Sequence, residues 1–295
     1  MNNFIEIDHD VHGKVKVHPN VAFLIEKDKQ EMCPQRTPEW LAKRRNHLTA
    51  SQVASVCGDN PYDSRISLLR KKLGIDKPFQ GNEATEWGTR LEPVAIKMYE
   101  ERTGNKVFEL GLLKSVNENE DFLAGSPDGI THNHRLIEVK CPFRRKPNGK
   151  VPKYYVHQMQ TLMNILNVPV CDFIEYVPEG TWRGEHFSII TVHRDVNWWQ
   201  EKMPIMKRFW DDVTELREAM AQNIEVVIPE DPPKRKYKRK PKKTVTIFDF
   251  PQIQVVETTP KQEETSAPFP QSLIDALHEH EEKSTPNLVK SKYFQ

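Results

Sequence analysis

The feature that most constrains the fold is a pair of short apolar runs separated by the polar turn His-Asn-His, between residues 125 and 141. An antiparallel hairpin centred on Asn133 pairs residues at equal distances on either side of it, which places Asp128 directly opposite Glu138. Directly paired residues project to the same face with Cβ atoms about 4.5–5.5 Å apart, so two carboxylates there repel each other. The hairpin therefore predicts a bound divalent cation that neutralises this pair.

Alternation along the second strand adds a third charged group to this face. Successive side chains of a strand point to opposite sides, so Lys140 projects with Glu138. Ile137 and Val139 then face the core. Mg²⁺ prefers carboxylate oxygens and lowers the pKa of bound water, and an ammonium group stabilises negative charge in a transition state. Asp128, Glu138 and Lys140 are therefore candidate catalytic residues for hydrolysis of a phosphodiester.

Changes in composition divide the 295 residues into an N-terminal extension (1–34), a central domain (35–228) and a tail (229–295). The tail holds 9 of the 22 prolines, and its run 234–243 has eight basic residues in ten. Such a segment buries too little apolar surface to offset its chain entropy, so we expect disorder, apart from a short helix starting at Ser272. The tail contains 12 of the 43 Lys and Arg residues and 10 of the 42 Asp and Glu residues. Residues 1–228 therefore carry 31 basic and 32 acidic residues. DNA contact by the near-neutral remainder needs a local basic patch.

The central domain is predicted to be an α/β fold. Helices are expected at about 37–46, from Ser51 to near Gly58, at 84–102, 153–167 and 197–223, and strands at 106–114, 121–125, 128–131, 136–141, 170–177 and 185–192. Gly104 is expected to end the long third helix, because glycine adopts positive φ at low cost. Helices followed by strands, then a helix and further strands, indicate a mixed central β-sheet flanked by helices.

These residues resemble the PD-(D/E)xK nuclease signature, in the form found in the lambda-exonuclease and YqaJ-type viral recombinase family, whose core is restriction-endonuclease-like. Four elements carry the resemblance in the family's order, over roughly residues 36–192: Arg44–Ser51, Trp87–Glu92, Ser126–Gly129 with Ile137–Phe143, and Tyr154–Gln160. The family often has glycine after its arginine in the first element, where this chain has Arg45. Which of Arg44 and Arg45 carries the role stays open, although the spacing to Ser51 favours Arg44.

The resemblance implies a magnesium site with supporting residues, and Mn²⁺ is expected to substitute for Mg²⁺. The implied groups are Asp128, Glu138 and the Val139 carbonyl as metal ligands, Lys140 at the attacking water, and Glu92 and Gln158 as supporting site residues. Both supporting residues have structural alternatives. Glu92 could be an exposed helix charge, and Gln158, which shares a helix face with Tyr155, could satisfy a buried backbone group.

A pocket for a terminal phosphate is expected where Thr49 and Ser51 begin a helix. Unpaired N–H groups and the positive end of the helix dipole favour an anion there, and an arginine can hold two phosphate oxygens at once. Arg44 or Arg45 would complete this pocket, with Tyr155 as a further DNA contact. The two hydroxyls also suit a helix N-cap, a structural role that is compatible with the functional one.

The resemblance implies a 5′→3′ exonuclease that acts on double-stranded DNA ends in viral or phage recombination, repair or genome processing. It also implies a single-strand-annealing protein as partner and a homo-oligomer in the form of a ring-shaped trimer. A structure-specific or restriction-like endonuclease uses the same hydrolytic chemistry and stays the alternative. A non-catalytic DNA-binding scaffold is disfavoured, because a decayed site should have lost at least one of Asp128, Glu138 and Lys140.

The sequence also bears on location. No apolar run approaches the ~18 residues needed to cross a bilayer, and the first residues lack the regions of a signal peptide. The 4 cysteines are scattered without a CxxC pair, which indicates neither a zinc site nor a disulfide framework. We expect an intracellular protein without membrane contact, in the cytoplasm or nucleus of a host cell if viral. The basic run 234–243 is a solvated spacer, a nuclear localisation signal or a non-specific DNA tether.

Overall fold

The computed structural model describes residues 4–77, 81–181 and 184–229. Seven α-helices lie in these residues: α1 (Pro19–Glu31), α2 (Pro38–Arg45), α3 (Val53–Val56), α4 (Arg65–Leu73), α5 (Glu83–Thr103), α6 (Lys153–Ile165) and α7 (Val196–Ala221). Ten β-strands accompany them: β1 (Ile5–His9), β2 (Gly13–Val17), β3 (Leu48–Thr49), β4 (Val107–Phe108), β5 (Leu113–Lys114), β6 (Leu123–Gly125), β7 (Gly129–Thr131), β8 (Leu136–Lys140), β9 (Val170–Val177) and β10 (His186–His193).

The longer predicted helices are confirmed. Helices α2, α5, α6 and α7 lie within two residues of their predicted bounds. Helix α5 ends where Gly104 adopts a φ of 72° and donates its backbone N–H to the Glu100 carbonyl. Helix α4 was not predicted from the sequence, although its N-cap is a regular one: the Ser64 side chain accepts a hydrogen bond from the Ser67 backbone N–H.

The run 106–114, predicted as one strand, is divided between two sheets as β4 and β5. Gly111 lies at the division, where the backbone closely approaches the segment before α2. Its N–H donates to Asp28 Oδ1 at 2.8 Å, and a Cβ atom at this position would lie 2.2 Å from the Cys33 carbonyl oxygen. Only glycine permits this approach, so the chain leaves the first sheet and starts the second.

The central sheet has five strands in the order β10-β9-β8-β7-β4. Strand β8 lies in the middle, parallel to β9 and antiparallel to β7, so the sheet is mixed as predicted. Gly129 pairs with Ile137 and Ile130 with Leu136, which is the predicted register about Asn133. A second sheet, β3-β6-β5, packs beside it.

Both faces of β8 are buried, which the sequence did not predict. On one face, Ile137 and Val139 pack with Leu91 and Ala95 of α5. The opposite face, which carries Glu138, lies against α6 and is also closed to solvent. The charged residues of β8 are therefore directed into a covered layer between sheet and helix.

The N-terminal residues belong to the main core. Strands β1 and β2 form an antiparallel hairpin, and Val17, Val21 and Leu24 are fully buried in the same cluster as the central sheet. The predicted boundary after residue 34 therefore does not coincide with a break in the core.

Two other predictions concern membranes and the tail. Within residues 4–77, 81–181 and 184–229, no helix is long and apolar enough to cross a membrane. The predicted disorder after residue 229, the basic run 234–243 and the short helix at Ser272 lie outside the described residues.

Candidate active site

The β7–β8 hairpin brings two carboxylates and one amine together. The Val139 backbone N–H donates to Asp128 Oδ2 at 2.7 Å, which fixes this carboxylate beside β8. Lys140 Nζ donates to Glu138 Oε1 and lies 4.0 Å from Asp128 Oδ2. One ammonium group thus contacts both carboxylates.

The charge of this cluster is not balanced. The Glu138 side chain is fully buried. Burial, together with Asp128 and Glu92 nearby, raises the pKa of Glu138 to about 8, although Lys140 acts in the opposite direction. Burial lowers the pKa of Lys140, but Glu138 and Asp128 outweigh this and raise it, so the lysine stays charged. A further cation at this position would be strongly favoured.

Glu92, on α5, is the third carboxylate of the cluster. Burial and the charge of Asp128 raise the pKa of Glu92 to about 7. Arg36 Nη2 donates to both of its oxygens, at 3.3 and 3.2 Å. Glu92 is therefore a partly buried carboxylate beside the cluster and not an exposed helix charge, and it stays a candidate site residue. Sequence analysis missed Arg36, because it lies 56 residues away and matches none of the recognised segments.

Helix α6 covers the cluster with two side chains one turn apart. Gln158 Nε2 donates to Glu138 Oε2 at 2.9 Å, so both Glu138 oxygens have a donor. The Tyr155 ring centroid lies 5.1 Å from Lys140 Nζ, within cation–π range. The side-chain amide of Gln158 therefore donates to a carboxylate, and not to a buried backbone group as the alternative prediction had it.

A cavity of about 150 Å³ adjoins the carboxylates. The cavity is lined by residues from five parts of the chain: the segment before α2, α2 itself, β3 with the turn after it, the segment from the end of β6 to β7, and α6. They are Gln35, Trp40, Arg44, Thr49, Ala50, Ser51, Gly125, Ser126, Asp128 and Gln158. Asp128 and Gln158 belong to both the cavity and the carboxylate cluster, so the two are continuous.

Arg44 is the charged group of the cavity wall opposite Asp128. Its Nη2 donates to Ser51 Oγ at 3.2 Å, and its guanidinium lies 4.3 Å from the Trp40 ring centroid. Trp40 Nε1 donates to Ser126 Oγ at 3.0 Å, which fixes the ring on which the guanidinium stacks. Burial lowers the pKa of Arg44 to about 10, so it stays cationic at neutral pH. Among the described residues, no acidic side chain pairs with it.

Residues 39–168 match the family described as the YqaJ-like viral recombinase domain. The matched segment is 130 of the 295 residues, less than half of the chain. Uncharacterized protein R354 of Acanthamoeba polyphaga mimivirus is 32% identical over 159 residues, which are 48% of this chain and 29% of that protein. Protein D345L of African swine fever virus (strain Badajoz 1971 Vero-adapted) is 30% identical over 158 residues, 43% of this chain and 45% of that protein. The match therefore spans less than half the length of these relatives.

The fold is also similar to that of a solved exonuclease structure. An alkaline exonuclease from Laribacter hongkongensis is 28% identical and superposes with a TM-score of 0.55, over 63% of this chain and 97% of that one. The same enzyme has also been solved in complex with dAMP. The predicted resemblance to this family and the predicted α/β class with a restriction-endonuclease-like core are confirmed, and both support a nuclease role.

Two predicted phosphate contacts, Arg45 and Tyr155, lie outside the cavity. Arg45 is exposed, and its carbonyl accepts a hydrogen bond from Arg217. Tyr155 lies beside Lys140 instead. Of the two candidate arginines, only Arg44 lines the cavity with Thr49 and Ser51.

The prediction that Thr49 and Ser51 begin a regular α-helix is wrong. Thr49 begins a 3₁₀ turn over residues 50–52, and its N–H donates to Gln52 Oε1 at 3.2 Å. Only a single helical turn, α3, follows. So short a helix adds little dipole, because the macrodipole sums over aligned peptide units. Arg44 is therefore the main candidate group for binding an anion in this cavity.

Two basic residues that the sequence analysis did not single out, Lys72 and Arg217, donate hydrogen bonds at the end of α2. Lys72 Nζ donates to the carbonyls of Arg44 and His47, at 2.5 Å each. Arg217 Nη2 donates to the carbonyls of Arg45 and Lys72, at 2.8 Å each. These bonds satisfy the last carbonyls of α2 and fix the direction in which Arg44 leaves it.

Proposed function

We propose that the protein is a Mg²⁺-dependent 5′→3′ exonuclease that hydrolyses phosphodiester bonds at duplex DNA ends, in viral recombination or genome processing. One observation carries the proposal: the cavity holding the unpaired Arg44 shares Asp128 and Gln158 with the carboxylate cluster. A terminal phosphate bound at Arg44 would lie next to the groups able to hydrolyse the strand. Such positioning converts a random encounter into a reaction between fixed partners.

The carboxylate cluster fits a magnesium ion. Among the described residues, no group of three or more His, Cys, Asp or Glu side chains forms a complete metal cage. Mg²⁺ seldom uses one, because it keeps several waters and binds one or two carboxylates plus phosphate oxygens. Asp128 and Glu138, with the Val139 carbonyl, would hold it, and a cation would stabilise the charged form of Glu138, whose pKa is raised by burial and by the neighbouring carboxylates. When bound, the ion lowers the pKa of a water molecule and neutralises phosphate charge.

The chain's own residues supply the remaining chemistry. Lys140, already within reach of both carboxylates, orients the attacking water and stabilises negative charge on the phosphate. Gln158 holds the second Glu138 oxygen, so the carboxylate presents one orientation. Glu92 adds a further carboxylate at the edge of the cluster, and this carboxylate forms an ion pair with Arg36.

Arg44, Thr49 and Ser51 form the end-binding pocket in this proposal. The guanidinium offers paired donors to phosphate oxygens, and its stacking on Trp40 keeps the plane fixed without neutralising the charge. The Laribacter hongkongensis exonuclease was solved with dAMP, a nucleoside monophosphate, which supports a nucleotide-sized product site in this fold.

Digestion of matched DNA substrates tests the proposal. Linear duplexes with 5′-phosphate or 5′-hydroxyl ends and a covalently closed circle are incubated with the full chain in Mg²⁺, Mn²⁺ or EDTA. We expect Mg²⁺-dependent or Mn²⁺-dependent digestion of linear DNA only, faster from phosphorylated ends. Cleavage of the closed circle would assign an endonuclease instead, and no digestion in either metal would overturn the nuclease proposal.

The proposal extends to assembly and partners. The family resemblance supports a homo-oligomer, with a ring-shaped trimer as the specific form, and a single-strand-annealing protein that receives the exposed strand. Light scattering of the purified chain measures its oligomeric state, and a mass equal to one chain at micromolar concentration would contradict the proposed homo-oligomer.

Co-purification with the annealing protein of the same genome tests the proposed partner.

A further inference from the structure

Three tyrosines form a continuous row from the carboxylate cluster to the protein surface. Tyr155 lies against Lys140, and the Tyr154 ring centroid lies 4.3 Å from that of Tyr155. The Tyr62 ring centroid is a further 5.9 Å away, with the two ring planes at 86°. Hydrogen bonds also link the phenol of Tyr154 to those of Tyr62 and Tyr155. The row starts at the candidate catalytic lysine and ends in solvent.

Tyr62 is exposed yet held in place by the fold. It is 74% exposed, the largest exposed fraction of any aromatic side chain among the large hydrophobics of the described residues. Its backbone N–H donates to Asn60 Oδ1 at 2.9 Å, and Asn60 Nδ2 donates to Ser55 Oγ at 2.8 Å. Ser55 is a buried residue of α3. The ring is therefore presented on a fixed turn, which lowers the entropy lost when a ligand stacks on it.

The surroundings of the two outer tyrosines are basic. The segment 143–153, between β8 and α6, has five Lys and Arg residues and no acidic residue. Its Arg145 is close enough to influence the phenol of Tyr62. Its Lys153, 75% exposed, leads directly into Tyr154. The two aspartates nearest in sequence are paired, Asp59 with Lys153 at 2.9 Å and Asp63 with Lys71 at 2.6 Å.

We infer that Tyr62 and Tyr154, here called the tyrosine platform, bind the bases of an unpaired DNA strand next to the candidate active site. An aromatic ring stacks on the face of any base that has left the duplex, and the phosphates of the same strand are attracted by neighbouring cations. Paired bases hide their faces in the duplex stack, so the platform selects single strands. This inference rests on the proposed nuclease function, because a strand that frays at the proposed metal site would lie beside Tyr155, from which the platform leads to the surface.

Binding of a short oligothymidine, measured by fluorescence anisotropy, tests the platform. The full chain is used in EDTA to prevent cleavage, at high salt to weaken any contribution of basic run 234–243, and with a 5′-hydroxyl end to leave the Arg44 pocket aside. We expect Tyr62→Ala to weaken binding about tenfold, because one stacked base is lost. Tyr62→Phe keeps the ring and should bind as the unmodified chain does.

A matched control and a second measurement make the result specific. Phe23, 52% exposed on α1, is an aromatic residue of similar exposure, so Phe23→Ala should leave binding unchanged. Oligonucleotides carrying 5-iodouracil should crosslink to Tyr62 in the unmodified chain, which needs no variant to fold.

Two outcomes would overturn the inference. Equal affinities of the unmodified chain and Tyr62→Ala would assign the platform to another occupant, such as a protein. Equal losses in Tyr62→Ala and Tyr62→Phe would exclude base stacking. Failure of the nuclease proposal is seen separately, as absence of digestion in Mg²⁺, since these binding measurements contain no metal.

Discussion

Two buried carboxylates on neighbouring strands of the central sheet have opposite electrostatic states. Asp172, on β9, accepts hydrogen bonds from Arg135 at 2.8 and 2.6 Å, from Thr191 Oγ1 at 2.7 Å and from the Tyr99 phenol at 2.8 Å. Burial alone would raise its pKa, but these donors bring the pKa of Asp172 below its usual value. Glu138, on β8, is equally buried, yet its pKa is raised.

The difference separates a structural carboxylate from a candidate metal ligand. Asp172 has a full set of donors and its own arginine, so it needs nothing from outside the protein. Glu138 shares one lysine with Asp128, in a cluster that also includes Glu92. A carboxylate that the fold leaves short of positive charge is a candidate ligand site, whereas burial alone does not identify one.

The largest expected effect concerns Glu138, the carboxylate that shares its lysine with Asp128. Glu138→Gln removes a metal-ligating charge, so single-turnover digestion of linear DNA should fall by more than the roughly 10–100-fold that loss of an outer-shell partner costs. The metal-free protein should melt at the same or a higher temperature, because repulsion within the carboxylate cluster is relieved. Digestion at the unmodified rate would remove Glu138 from the active site.

The second prediction concerns Asp172, the carboxylate that has its own arginine. Asp172→Asn leaves Arg135 without its counter-charge, and breaking such a pair should lower the free energy of unfolding by about 3 kcal/mol. Urea denaturation measures this loss. Digestion per folded molecule should stay near that of the unmodified chain, because Asp172 does not line the cavity. A loss of activity without a loss of stability would contradict the structural role.

The same comparison applies to cations, with a smaller effect. Arg135 has its carboxylate, whereas Arg44, half-buried in the cavity wall, pairs with none among the described residues. Arg44→Ala should abolish the faster digestion of 5′-phosphorylated ends, a preference that we expect to be about tenfold from a charge-assisted hydrogen bond. Arg44→Lys should restore part of it, since a lysine keeps the charge without the paired donors. A preference that survives in Arg44→Ala would place the end-binding site elsewhere.

The smallest expected effect is on the pH dependence of stability in EDTA. The pKa of Glu138 is higher in the folded protein than in the unfolded chain, so its contribution to stability is complete below about pH 4.5 and is lost as the pH rises through about 8. Asp172 has a lowered folded pKa, and its contribution is lost only as the pH falls through that value. Relative to Glu138→Gln, the unmodified chain should therefore lose thermal stability between pH 5 and 8. Parallel melting curves for the two proteins would contradict this.

Local pattern accounts for what the sequence predicted correctly. Strand alternation and the central turn were enough to give the β7–β8 register, because partners in a hairpin are close in sequence. Arg36 and Arg135 escaped prediction, since they reach Glu92 and Asp172 across 56 and 37 residues. The division of β4 from β5 at Gly111 also depends on a distant segment, the one that contains Cys33. Contacts of this kind leave no periodic signal in a single sequence.

The central position of β8 bears on how the protein can be shortened. The segment matching the YqaJ-like family ends at residue 168, immediately before β9, which pairs with every residue of β8 from Leu136 to Lys140. A fragment cut at that point would leave β8 as an open edge, with free N–H and C=O groups that recruit strands from other molecules. The smallest soluble catalytic fragment must therefore retain at least β9, and truncations at the family boundary should aggregate.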